Sequence, residues 1–156
     1  ALTALAIGAV LSSSAPFDGR SAPEPEARLA ADSAYGVNIE RAALANEDFR
    51  RVLFTGPYMQ LVLMTLRPGE EIGMEVHENG DQFIRVETGT GTAVLDGASH
   101  PLEDGTIVLI PAGVDHNIVN TGNAPLRMYV LYSPPEHPDG TVHRTKQEAD
   151  TAGHNH

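Results

Sequence analysis

The chain has no cysteine among its 156 residues. Disulfides, thiolate catalysis, zinc fingers and cysteine-held iron–sulfur clusters are therefore excluded. Any bound metal must be held by nitrogen and oxygen donors, which favours iron(II), manganese, nickel, cobalt or zinc over copper(I). Basic residues are scarce as well. Only 10 Lys and Arg stand against 21 Asp and Glu, a formal net charge of -11. A nucleic-acid backbone is a poor partner for such a chain, because phosphate binding needs concentrated positive charge. No basic stripe interleaved with aromatics offsets that balance. Small molecules are not excluded, since a metal can locally reverse the sign of the field. The G-x-S-x-G elbow and the Walker phosphate loop are missing. No Ser–His–Asp arrangement is evident, and no long amphipathic helix interrupts the pattern described next.

What is present suits one domain with a sizeable core. Residues 1–36 read as an apolar N-terminal segment followed by a linker rich in Pro, Ala and Glu. The run at 1–16 resembles the apolar core of a secretory signal, or else a packing arm or short helix. Ser12 to Ser14 interrupt it, so a stable membrane span is not expected. The reading favours the cytoplasm, with the periplasm or secretion as the alternative if residues 1–16 derive from a signal segment. Residues 37–133 read as the ordered domain, and residues 134–156 as a polar, irregular tail.

Residues 39–44 suggest an irregular edge or a short turn of helix. Beyond them the pattern is one of short strands at 51–55, 58–66, 72–77, 82–87, 91–95, 106–110, 116–120 and 126–132. Turn-prone ENG, DG, EDG, PAG and NTGN separate them. Many short strands at regular spacing imply an all-β sandwich or barrel.

Two segments carry the chemistry, GEEIGMEVHENGDQFIRVETG from Gly69 and GTIVLIPAGVDHNIVN from Gly105. Side chains at i and i+2 of a strand share a face, so Glu75 and His77 point the same way. Gly80 closes a turn and returns the chain at Gln82. Gln82, Ile84 and Val86 then share one face, and Phe83, Arg85 and Glu87 the other. His116 opens a later strand after Pro111 and Gly113. Two imidazoles, one carboxylate and one amide oxygen suit a single first-row divalent metal. Without a metal, Glu75 and His77 line a solvated sheet face and His116 caps a turn. Asp81 replaces Gln82 as a ligand if the turn uses the shorter spacing, and otherwise closes the turn. Asn120 is expected to bond the barrel backbone. Tyr58, Gln60, Met64 and Tyr132 read either as cavity residues or as packing. His100 reads as a surface turn residue. His137 and His143 read as part of an extended tail or a cover over a barrel mouth. His154 and His156 are adventitious metal binders.

These segments resemble the two signature motifs of the cupin superfamily. The second is nearly complete, with Gly105, Pro111-Ala112-Gly113, His116 and Asn120 at the expected spacing. The first keeps its spacing from Gly69 to Gly89 but changes two ligand identities. Glu75 stands at the usual first histidine position and Gln82 at the usual glutamate position. His77 and His116 hold the remaining two. More narrowly, Glu75-Val76-His77, Asp81-Gln82-Phe83, Arg85 and residues 134–146 resemble a group of small single-domain bacterial cupins loosely labelled mannose-6-phosphate isomerase-like.

The resemblance implies a double-stranded β-helix, the jelly-roll barrel. It implies one divalent transition metal per chain at Glu75, His77, Gln82 and His116, and a homodimer. It also implies a small organic substrate handled by dioxygenase or isomerase chemistry, with Glu75 as a catalytic base where it is not tightly ligated. The competing expectations are a non-catalytic cupin that binds a sugar or other small ligand, and a structural barrel with a vestigial site.

Overall fold

The computed structural model describes residues 34–153. Expectations for residues 1–33 and for His154 and His156 fall outside this range. In chain order the elements are α1 (Ile39–Ala45), β1 (Arg50–Thr55), β2 (Gln60–Leu66), β3 (Asp81–Thr88), β4 (Gly91–Leu95) and β5 (Ala98–Leu102). They continue with β6 (Ile107–Ile110), β7 (His116–Val119), β8 (Leu126–Ser133), β9 (Val142–His143) and α2 (Lys146–Gly153). A six-stranded sheet runs β6-β3-β8-β2-β1-β9, and a three-stranded sheet runs β5-β4-β7. All pairings are antiparallel. This is the expected all-β jelly roll. No helix among the described residues is long and apolar enough to cross a membrane.

Strand β8 is the spine of the larger sheet. Its alternation sends Leu126, Met128, Val130 and Tyr132 inward. Val130 pairs with Val62 on one side and Ile84 on the other, and Met128 pairs with Met64 and Val86. Ala93 and Ile118 close this core from the smaller sheet. Each such large apolar side chain contributes about 1.5–3 kcal/mol on burial.

Strand β2 does not alternate, because both of its faces are covered. Leu63 and Thr65 are buried opposite Val62 and Met64. Helix α1, capped by the Asn38 side chain accepting from the Arg41 N–H at 2.9 Å, packs across this outer face. Asn46 at its end donates to the Thr65 hydroxyl at 2.9 Å. Two-sided cover is why LVLMTL reads as a continuous apolar run.

The sequence reading needs three corrections. Residues 72–77 do not form a regular strand. The segment meets β7 through isolated bridges, Glu71 with Val119 and Glu75 with His116, and through the Ile72 N–H donating to the Ile118 carbonyl at 2.9 Å. Gly73, at φ 106°, interrupts the ladder, and its N–H donates to the Asn117 side chain at 3.0 Å. Second, β5 was not anticipated, because four of its five residues are exposed and Pro101 masks it. Pro101 is tolerated there because β5 is an edge strand. Asp96 (φ 46°) and Gly97 (φ 80°) form the left-handed two-residue turn that joins it to β4. Third, the segment after Tyr132 is not wholly irregular. It returns to pair β9 with β1 and ends in α2, whose Ala149 joins the core.

Candidate metal centre

Glu75, His77 and His116 converge. Each offers one ligand atom, and these atoms all lie within 4.8 Å of one another. The Glu75 N–H donates to the His116 carbonyl at 2.9 Å, and the His116 N–H donates back to the Glu75 carbonyl at 3.0 Å. This reciprocal bridge fixes the two residues side by side. Two residues on, the His77 carbonyl accepts from the Gly113 N–H at 3.0 Å, which ties the Pro-Ala-Gly turn to the first segment. Backbone pairing thus sets the spacing of the three side chains before any ion is considered.

The His116 ring nitrogens have distinct roles. Nδ1 lies 2.9 Å from the Val114 carbonyl, which can only accept, so Nδ1 carries the proton. Nε2 is then a lone-pair donor to a metal, and it is buried with no hydrogen-bond partner. Such a carbonyl contact on the far nitrogen is the usual support for a metal-bound imidazole. The His77 Nδ1 faces the Glu136 carboxylate at 3.4 Å. Its Nε2 lies 3.6 Å from the Glu75 carboxylate, an ion-pair separation too long for a hydrogen bond, and is likewise buried and unpartnered. Glu75 raises the His77 pKa above its ordinary value, burial opposes that rise, and Glu136 reinforces it.

Gln82 lies on the inward face of β3 with Ile84 and Val86, as the alternation requires, and is 2% exposed. Its amide nitrogen donates to the Tyr132 hydroxyl at 3.2 Å, which leaves its oxygen as the free end. That oxygen is buried without a partner. The Tyr132 ring stands edge-on to His77 at 5.5 Å, and the His77 and His116 rings are 5.2 Å apart. Burial pushes the Tyr132 phenol well above its ordinary pKa, so it stays protonated.

Buried atoms on His77, Gln82 and His116 therefore lack hydrogen-bond partners, and the two histidines converge with Glu75. A buried acceptor without a partner costs about 1–3 kcal/mol. A divalent cation would satisfy the two histidine nitrogens, with the Glu75 carboxylate supplying charge. The residues present fit such an ion.

The other candidates sort clearly. Asp81 accepts from the Ala112 N–H at 3.1 Å and so closes the turn. Asn120 holds the barrel backbone, donating to the Leu66 and Ala124 carbonyls at 2.8 and 2.9 Å. Arg85 points to the other face and pairs with Glu87. Met64 is core, whereas Tyr58 is exposed and lines no cavity. His100 is exposed on β5.

Residues after β8 matter more than their composition suggested. Gln60, fully buried, donates to the His137 carbonyl at 2.7 Å and accepts its N–H at 3.0 Å. This two-point clamp lays the chain over the barrel end, placing Glu136 against His77 and the His137 ring edge-on to Tyr132 at 5.1 Å. Of the two expectations for His137, an extended tail and a cover over a barrel mouth, the cover is what forms.

The cupin-domain family pattern matches residues 62–132. The chain is 46% identical over 122 residues to the uncharacterized protein YrkC of Bacillus subtilis, covering 74% of this chain and 66% of that protein. It is 40% identical over 123 residues to the uncharacterized protein L612 of Acanthamoeba polyphaga mimivirus, covering 76% of this chain and 77% of that one. The crystal structure of BH2720 from Bacillus halodurans superposes with a TM-score of 0.76 at 44% identity, covering 77% of this chain and 96% of that chain. With both signature motifs on adjoining strand ends of a jelly roll, the chain belongs to the cupin superfamily.

Proposed function

We propose that this cupin is a metal-dependent enzyme for a small organic molecule, of dioxygenase or isomerase type. One divalent transition metal would be held by Glu75, His77, Gln82 and His116. The observation that carries this reading is the set of buried lone-pair atoms without partners on His77, Gln82 and His116, beside the Glu75 carboxylate. Such an ion supplies Lewis acidity toward a substrate oxygen and, when redox-active, dioxygen chemistry.

The chain's own residues do the rest. Val114 holds the His116 tautomer, and Glu136 orients His77. Tyr132 turns the Gln82 amide so that its oxygen faces away from the phenol. The Glu75 carboxylate keeps access to solvent, with its side chain 29% exposed. It is the group placed to take a substrate proton where it does not ligate tightly.

Elemental analysis tests the centre. Tag-free protein with His154 and His156 replaced by alanine should carry about one transition metal per chain. Glu75→Ala and His116→Ala, made in that background, should each lose most of it. Unchanged stoichiometry in both would remove the centre. Oxygen uptake by the iron-loaded protein, set against metal-dependent proton exchange of a hydroxy-carbonyl substrate, separates the two chemistries.

A further inference from the structure

Among the described residues, Arg50 is the most unusual cation. It lies on the inward face of β1 and is 9% exposed. Its guanidinium sits over the Phe49 ring at 5.6 Å. Among the described residues it forms no ion pair, and its buried Nε has no hydrogen-bond partner. Its neighbour across the ladder is His143, the paired residue on β9. The His143 Nδ1 is also buried and unpartnered, as is the His137 Nε2. Burial lowers the His137 pKa most, and the charges of Arg50, His77 and His143 add to that. Burial and Arg50 lower the His143 pKa too, against Glu148. Leaving a buried donor of a cation without a partner is costly. Two neutral imidazoles, each able to present an N–H, cannot offset its charge. An anion can.

We propose that Arg50, His137 and His143 form an anion subsite that takes the carboxylate or phosphate group of a small organic ligand. Arg50 supplies the charge and a planar set of donors suited to an oxyanion. The imidazoles complete the shell as neutral donors. Tyr132 connects this subsite to the metal centre, since its ring stands edge-on to both His77 and His137. An oxyanion held there would extend its ligand toward the Glu75 cluster. That last step rests on the metal-centre reading. The anion subsite itself does not, because none of its three residues belongs to the proposed ligand set.

The test titrates the full-length protein with sodium acetate and, separately, with inorganic phosphate at constant ionic strength. The His137 and His143 imidazole signals are followed by nitrogen-edited NMR. At least one anion should shift both rings saturably. A response to phosphate alone assigns a phosphorylated ligand, and a response to acetate alone assigns a carboxylate. Arg50→Gln should weaken binding by about tenfold or more, and His143→Gln by several-fold. The partly exposed His143 site serves as the judge if the Arg50 variant does not fold. No saturable response to either anion, or unchanged affinity in folded His143→Gln, overturns the subsite. Metal content measured on the same samples separates the two readings. Anion binding without metal removes only the metal centre, and metal without anion binding removes only this subsite.

Discussion

Burial, Arg50, His77 and His143 together hold the His137 imidazole down at about pKa 3, against an ordinary 6.5. Folding therefore requires this ring to be neutral. A group that binds fewer protons folded than unfolded contributes stability that is complete above 6.5 and is lost as pH falls from there toward 3. His77 works the other way. Glu75 raises its pKa, so in the metal-free protein its contribution is complete below 6.5 and is lost as pH rises through the raised value. The displacement of His137 is the larger, so acid should destabilise the metal-free protein below 6.5. His137→Phe keeps a ring against Tyr132 and removes the titration. Its denaturation midpoint should fall less steeply with acid than that of the wild type, while carboxylate effects common to both cancel. Parallel profiles would show that His137 is not held neutral by the fold.

The strap over the barrel end is an element in its own right, though little of it is regular. Gln60 sits in the first inward position of β2, where an apolar residue would complete the stripe. Its amide instead imitates a strand neighbour, matching the His137 N–H with its oxygen and the His137 carbonyl with its nitrogen. Gln60→Ala removes both bonds and should cost about 1–3 kcal/mol per backbone group left unsatisfied. Local opening should follow before global unfolding. Amide exchange at His137 should accelerate by tenfold or more while the β2–β8 ladder keeps its protection. Equal acceleration in both would mean that Gln60 supports the whole sheet and not the strap. This element was only partly legible in sequence, where a cover over the barrel mouth stood beside an extended tail, and for a physical reason. A two-residue strand such as β9 shows no periodicity, and Gln60 reads as cavity or packing until its partner arrives from residue 137. The strands β3, β4 and β8 were legible because their inward positions alternate under a single covered face. The segment carrying Glu75 and His77 was half legible. Their side chains do share a neighbourhood, yet backbone bridges to β7 and His116 achieve this where a regular strand was expected.

At the scale of the whole molecule, the two motifs bring distant parts of the chain to one end of a jelly roll. Glu75 and His77 lie on one irregular segment, and His116 opens a strand of the smaller sheet. Gln82 lies next to the start of a strand of the larger one. A metal bound by all four would tie the two sheets together, which no disulfide can do in a chain without cysteine. The overall charge of -11 favours the same outcome, since a divalent cation reduces repulsion within an acidic molecule. A ligand that binds only the folded state stabilises it by mass action, by about 2.7 kcal/mol at a hundredfold excess over Kd. For a domain of this size that raises Tm by roughly five to ten degrees. Chelator-stripped wild type should therefore gain this increment on adding iron(II), manganese, nickel, cobalt or zinc, and the metal with the largest gain is the preferred one. His77→Ala should stay near the Tm of the stripped wild type and show no response, because it removes a ligand without touching the apolar core. A wild-type Tm insensitive to every one of these metals would mean that the orphaned atoms on His77, Gln82 and His116 are satisfied by water, and that the two sheets are held together by their core alone.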